Sequence, residues 1–124
     1  MVIREYNELL YHGTTKSFHD KVLKEFGNYR MISDREVCLD NSLITPISYA
    51  LQRTEQYNDE PVLLIVDPRL LVPESNFRIG SPFRVDFLNK KSYSLISLPK
   101  KKKKHISKEI LEELRILEEL VLAA

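Results

Sequence analysis

The sequence predicts an α+β domain, and three observations carry that class. Pro61 and Pro68 bracket an unbroken apolar run, Val62 to Val66, of the kind shown by a central strand buried on both faces. Two other segments, one after Ser17 and one after Thr45, repeat their apolar residues at helical spacing. Helices and strands then follow one another without a regular βαβ alternation, which disfavours a doubly wound parallel sheet. At 124 residues the chain fits one domain, 1–124, with no room for a second independent core.

Taken in order, Leu9-Leu10-Tyr11-His12 reads as a short strand stopped by Gly13. Ser17 is suited to cap a helix that buries Phe18, Val22, Leu23 and Phe26 and stops at Gly27. Residues 28–35 lack a period and read as a loop. Glu36 to Leu39 resembles a short strand, closed by the turn cluster Asp40-Asn41-Ser42. Thr45-Pro46 is a helix start, because Thr caps and Pro is pre-set for the first helical position. Ile47, Ala50, Leu51 and Thr54 share one side of that helix, and Tyr49, Gln52, Arg53 and Gln56 share the other. The central strand follows. Residues 69–81 read as loop, and Arg84–Leu88 and Ser92–Leu98 as two strands joined by the turn Asn89-Lys90-Lys91. Ser107 then caps a C-terminal helix with Ile110, Leu114, Leu117 and Val121 on one stripe. Leu111, Ile116, Leu120 and Leu122 lie off that stripe, so the helix is expected to pack on the domain and to be available for a homodimer.

Composition narrows the function classes. With 43% hydrophobic and 30% charged residues the chain is built to fold rather than to stay disordered. No apolar run nears the ~20 residues of a membrane span, and the polar first residues do not form the apolar core of a signal peptide. A single cysteine, Cys38, excludes an internal disulfide and suits a reducing compartment, so a cytoplasmic location is expected. Set within Val37-Cys38-Leu39, it reads as a buried structural cysteine rather than a nucleophile. His12, His19 and His105 lack ligand spacing, so no metal site is expected. The formal charge of +1 provides no global attraction for nucleic acid, but the run Lys100–Lys104 is a local basic segment. It serves either as a solvated loop or as a contact for RNA or DNA phosphates.

Two features carry chemistry. In Tyr11-His12-Gly13-Thr14-Thr15 an imidazole sits beside backbone that a ligand approaches closely, since glycine has no Cβ. The competing reading is a strand-end histidine hydrogen-bonded to backbone. Tyr49, off the core stripe of its helix, offers either an aromatic face for a planar ring or packing for a second layer.

Together these segments resemble the ADP-ribosyltransferases of the diphtheria-toxin and poly(ADP-ribose) polymerase type. The resemblance rests on Leu10-Tyr11-His12-Gly13-Thr14-Thr15, on Val37-Cys38-Leu39-Asp40-Asn41-Ser42, on Ile47-Ser48-Tyr49-Ala50 and on the strand from Pro61 to Asp67, and covers roughly residues 9–70. It implies a split β-sheet core with flanking helices and a C-terminal helix. It implies NAD as co-substrate and transfer of ADP-ribose to a protein or nucleic-acid acceptor. By it, His12 holds the NAD ribose, the Gly13 backbone bonds the nicotinamide amide, Tyr49 stacks on the nicotinamide ring, and Thr14 is a second-line contact; His12 and Tyr49 form the catalytic pair. The exit through Ile106 into the helix from Ser107 also fits the family. One element departs from it. The family carries a glutamate on a late strand, whereas Ser92-Tyr93-Ser94-Leu95-Ile96-Ser97 has no acidic residue, Asp86 lies a strand earlier and Glu74 sits in a loop. That leaves two further readings open: a degenerate, non-enzymatic member of the fold that binds protein or nucleic acid, and an enzyme like the NAD-dependent RNA 2′-phosphotransferases.

Overall fold

In the computed structural model, residues 8–32 and 35–98 are described. The lysine run Lys100–Lys104, His105 and the expected C-terminal helix, with its dimer surface, lie outside them.

The described chain is α+β: two helices and two antiparallel three-stranded sheets. Strand β1 (Leu10–Thr15) runs into helix α1 (Lys16–Phe26), followed by strand β2 (Val37–Leu39), helix α2 (Ile44–Tyr57) and strand β3 (Pro61–Val66). Short strands β4 (Phe77–Arg78) and β5 (Phe83–Val85) and the longer β6 (Tyr93–Ser97) complete the order. The larger sheet is ordered β1-β3-β6 and the smaller β2-β5-β4.

Every residue of β3 is buried, because the larger sheet is covered on both faces. Alternation along a strand sends successive side chains to opposite faces. On one face Leu9, Tyr11, Leu63 and Ile65 pack with Ile47, Ala50 and Leu51 of α2. On the other, Leu10, Val62, Leu64 and Val66 join Val22 of α1 and Val37, Leu39 and Val85 of the smaller sheet. The continuous apolar run of β3 is thus the signature of a middle layer between α2 and the α1/small-sheet layer.

The two sheets meet at a narrow seam. Tyr11 of β1 and Asp40, the residue after β2, exchange both backbone bonds there, at 2.8 and 2.9 Å, while Tyr29 and Leu88, which belong to neither sheet, exchange theirs at 2.9 and 2.8 Å and tie the segment after α1 to the segment after β5. No continuous ladder joins β1 to β2 among the described residues.

Some boundaries differ from the sequence reading, each for a local reason. Thr15, not Ser17, is the N-cap of α1, and the Ser17 hydroxyl instead donates to Asp59 at 2.9 Å. Helix α2 begins at Ile44, so Pro46 sits inside the first turn, where its missing N–H costs no helical bond. Gly27 ends α1 at φ 75°, as its position after the last apolar residue implies. Strand β5 ends at Val85, and Leu88 leaves it to bridge Tyr29. Strand β4, of two residues, falls in the segment read as loop; it is too short to show a period.

Candidate functional site

The seam opens into a cavity of about 600 Å³. Its wall on one side is β2 and the residue before it. Val37 and Leu39 turn into the core, and the alternation puts Glu36, Cys38 and Asp40 on the opposite, cavity-facing side of the strand. Opposite stand His12 and Gly13 of β1, with Pro46 and Tyr49 from the start of α2, and the β4–β5 connection supplies Ser81, Pro82 and Phe83. His12, Gly13 and Tyr49, which are 36 or more positions apart along the chain between β1 and α2, therefore line one space.

Gly13 has two faces with different duties. A Cβ built on it would lie 1.8 Å from the Pro46 carbonyl oxygen and 3.2 Å from the Ala50 side chain. Glycine is required there so that α2 can seat directly on β1, and the room left by its missing side chain is taken by helix backbone rather than left for a ligand. The peptide edge is another matter. Tyr11 directs its N–H and C=O to β2, and Lys16 N–H bonds back to Glu60, so along β1 the odd positions face β2 and the even ones face β3. Gly13 N–H and C=O consequently point to the β2 side. In a regular ladder they would exchange bonds with Cys38. Here the Cys38 carbonyl instead accepts the His12 Nδ1–H at 2.8 Å, and among the described residues no bridge pairs Gly13 with Cys38.

His12 is 8% exposed, and both of its ring nitrogens are used within the protein. Since the Cys38 carbonyl only accepts, Nδ1 carries the proton. Nε2 then accepts the Tyr29 hydroxyl at 2.7 Å. Burial pushes the imidazole down to about 4, the bond to Cys38 opposing only part of that effect, so the ring is neutral near pH 7. Tyr29 is fully buried, and burial raises its phenol, with Thr14 as a hydrogen-bonding neighbour acting the other way. Thr14 is thus directed to Tyr29 and does not line the cavity. A second pair lies alongside: His19 stacks on Tyr29 at 5.8 Å between centroids, its Nε2 is 2.8 Å from the Tyr93 hydroxyl, and its Nδ1 is 3.0 Å from Asp20. The phenol of Tyr93 is pushed up to about 12, chiefly by burial. Tyr29 had no sequence signal, since it stands in an aperiodic loop.

Tyr49 is 41% exposed on the side of α2 away from the core, and the Arg53 guanidinium lies over its ring at 5.4 Å. Cys38 corrects the sequence reading: it is exposed in the cavity wall, because in a strand with only one core face the middle residue of Val37-Cys38-Leu39 must turn outward. Ser92, read as the first residue of the late strand, instead closes the short turn Lys90–Ser92 before β6, is buried with its hydroxyl donating to the Asn89 carbonyl, and is not part of the cavity. The acidic groups that do line it are Glu36 and Asp40. Asp40 is engaged locally, its Oδ1 accepting Ser42 N–H at 2.8 Å. Glu36 Oε1 accepts Arg78 Nη1 at 2.7 Å, while Oε2 is buried and meets no donor among the described residues. Neither Glu36 nor Arg78 stood out in the sequence, although the two-residue spacing of Glu36, Cys38 and Asp40 places those three on one strand face.

Among the described residues no helix is long and apolar enough to cross a membrane, and no three His, Cys, Asp or Glu side chains gather as metal ligands. Comparison of the chain with family models, with curated proteins and with solved structures finds no match in any of the three.

Proposed function

We propose that this cavity binds NAD and that the protein is an ADP-ribosyltransferase-like enzyme acting on a protein or nucleic-acid acceptor. The observation that carries the reading is the open peptide edge of Gly13 in the same cavity as the Tyr49 ring. A neighbouring N–H and C=O match the C=O and N–H of a primary carboxamide, and an aromatic face suits the attached pyridine ring. A volume of about 600 Å³ lies in the range of small-molecule and cofactor sites. In this reading NAD supplies a glycosidic bond whose cleavage releases nicotinamide with the bonding electron pair. His12 acts by position: by taking the Cys38 carbonyl it keeps β2 from closing the ladder over Gly13. Tyr49 supplies the stacking surface, and Thr14 contributes through Tyr29.

The reading is tested by calorimetric titration of the whole chain with NAD. Tyr49→Ala should retain the fold, because the side chain is largely exposed, and should weaken NAD binding by about 1–3 kcal/mol, the range for loss of one aromatic stacking partner. Absence of heat from the wild type at millimolar NAD would sink the proposal. The internal engagement of both His12 nitrogens favours a second reading, a non-enzymatic binding module. NAD binding without nicotinamide release, across protein and nucleic-acid acceptors, would select it.

A further inference from the structure

Tyr49 offers two ring faces, and one of them is taken. The Arg53 guanidinium lies over the ring at 5.4 Å from its centre, within the range of a cation–π contact. Thr45, Tyr49 and Arg53 follow one another at intervals of four on α2, so Tyr49 stands between the other two on one side of the helix. Thr45 lines the cavity beside Tyr49, whereas Arg53 stands outside it. The face turned towards Thr45 is therefore the one open to a ligand, and the guanidinium backs the other. A planar ring stacked there would lie about 9 Å from the Arg53 charge, the observed 5.4 Å plus about 3.5 Å of ring contact. Arg53 is partly buried, so water does not fully screen it. Its charge is felt further inside as well: burial raises the Tyr29 phenol, and Arg53 is among the neighbours that oppose the rise.

We propose that Arg53, acting through Tyr49, makes the stacking surface prefer a ring without charge, so that it favours the neutral nicotinamide that leaves over the pyridinium that enters. The assignment rests on the NAD reading above. A cation on one face of an aromatic ring draws on the same quadrupole that would attract a cation on the other. The two positive charges also repel each other directly across the ring. A neutral ring meets neither penalty and keeps its stacking contact. In the transfer step the C1′–N bond breaks and its electron pair goes to the ring nitrogen, which turns the pyridinium into neutral nicotinamide. The acceptor's electron pair forms the new bond to C1′, and the acceptor's proton passes to solvent. Positive charge thus leaves the ring as the bond breaks, and a platform backed by Arg53 favours that departure. Arg53 is a positioning residue, since it touches Tyr49 and not the ligand. The other charged groups of the cavity, Arg35, Glu36 and Asp40, stand beside β2 rather than behind the ring.

NAD and NADH are the probes, since their nicotinamide rings differ in charge and little in shape. The ratio of their dissociation constants is measured calorimetrically for the wild type, Arg53→Gln and Arg53→Lys. Arg53→Gln should shift the ratio roughly tenfold in favour of NAD, the scale of two unit charges about 9 Å apart at an effective dielectric constant of about 20 to 40. Arg53→Lys keeps the charge and should hold the ratio close to the wild-type value. A general loss of packing weakens both dinucleotides together and does not move the ratio. An unchanged ratio in Arg53→Gln, or an equal shift in Arg53→Lys, overturns the assignment while leaving the NAD reading intact. A wild type that binds neither dinucleotide overturns that reading, and the assignment falls with it.

Discussion

At the scale of single residues, the position with the least freedom is Gly13. Its backbone does not need the left-handed conformation that Gly27 adopts at φ 75°. What it needs is the absence of a Cβ, because the Pro46 carbonyl oxygen occupies that place at 1.8 Å. The obstacle is helix backbone, which cannot rotate away as a long side chain does. Gly13→Ala is therefore expected to lift the start of α2 from β1 and to destabilise the protein by about 1–3 kcal/mol or more, the range of an overpacked core. Urea unfolding monitors it, and a midpoint unchanged within error would mean that α2 is not seated as described. The same displacement moves Tyr49 away from the Gly13 peptide edge. Loss of NAD binding in this variant would follow from packing, which is why Tyr49→Ala is the cleaner probe of the site.

At the scale of elements, the small sheet carries an unfavourable pairing. In its register Cys38 stands opposite Arg84, and Arg84 stands opposite Arg78, so two guanidinium groups project from one face with Glu36 bonded to Arg78. Like charges directly across a sheet repel. Arg84→Thr, which also suits a strand, should raise unfolding stability by about 0.2–1 kcal/mol, with the gain shrinking at high salt. Destabilisation would show that Arg84 makes a contact of its own. This sheet is also where the sequence was least legible. β3 announces itself because a strand covered on both faces has no polar positions to break the run, and α2 because its buried and exposed sides separate at 3.6-residue spacing. Both long elements were read close to their observed limits, which placed Tyr49 on the side of α2 away from the core. Strands β2, β4 and β5 have three, two and three residues, so none repeats its pattern often enough to show a period. Cys38 was assigned inward for that reason. Tyr29, Glu36 and Arg78 belong to the same blind region: their importance arises from partners on other elements, and no local pattern encodes a partner 17 or 42 positions away.

At the scale of the whole molecule, the two sheets are joined by the backbone bridge of Tyr11 with Asp40, by the bond from His12 to the Cys38 carbonyl and by the packing of Val37, Leu39 and Val85 against β1 and β3, with the cavity at their seam. His12 is thus a fastener of the seam, and burial holds its ring neutral, with Nδ1 donating to Cys38 and Nε2 accepting the Tyr29 hydroxyl. Its folded value of about 4 lies below the ordinary 6.5. Between those values the unfolded chain takes up a proton at this histidine and the folded chain does not. Stability that is fully present above pH 6.5 is therefore lost as pH falls towards 4, and the loss levels off below that. The full span corresponds to about 3 kcal/mol. Asp20, Asp59 and Asp67 have lowered values, so their own contributions fade only as pH falls through and below the ordinary carboxylate range. His12→Asn is the informative partner, because an amide nitrogen near the Nδ1 position preserves a donor for Cys38 without titrating. Urea unfolding at intervals between pH 7 and 4.5 should show the wild type losing stability steeply relative to this variant. Parallel curves for the two proteins would mean that His12 is not held neutral at the seam. Because the same bond keeps β2 from closing over Gly13, ligand binding should fail in the wild type over the pH range in which the seam opens. The fold and the proposed site then depend on one uncharged imidazole.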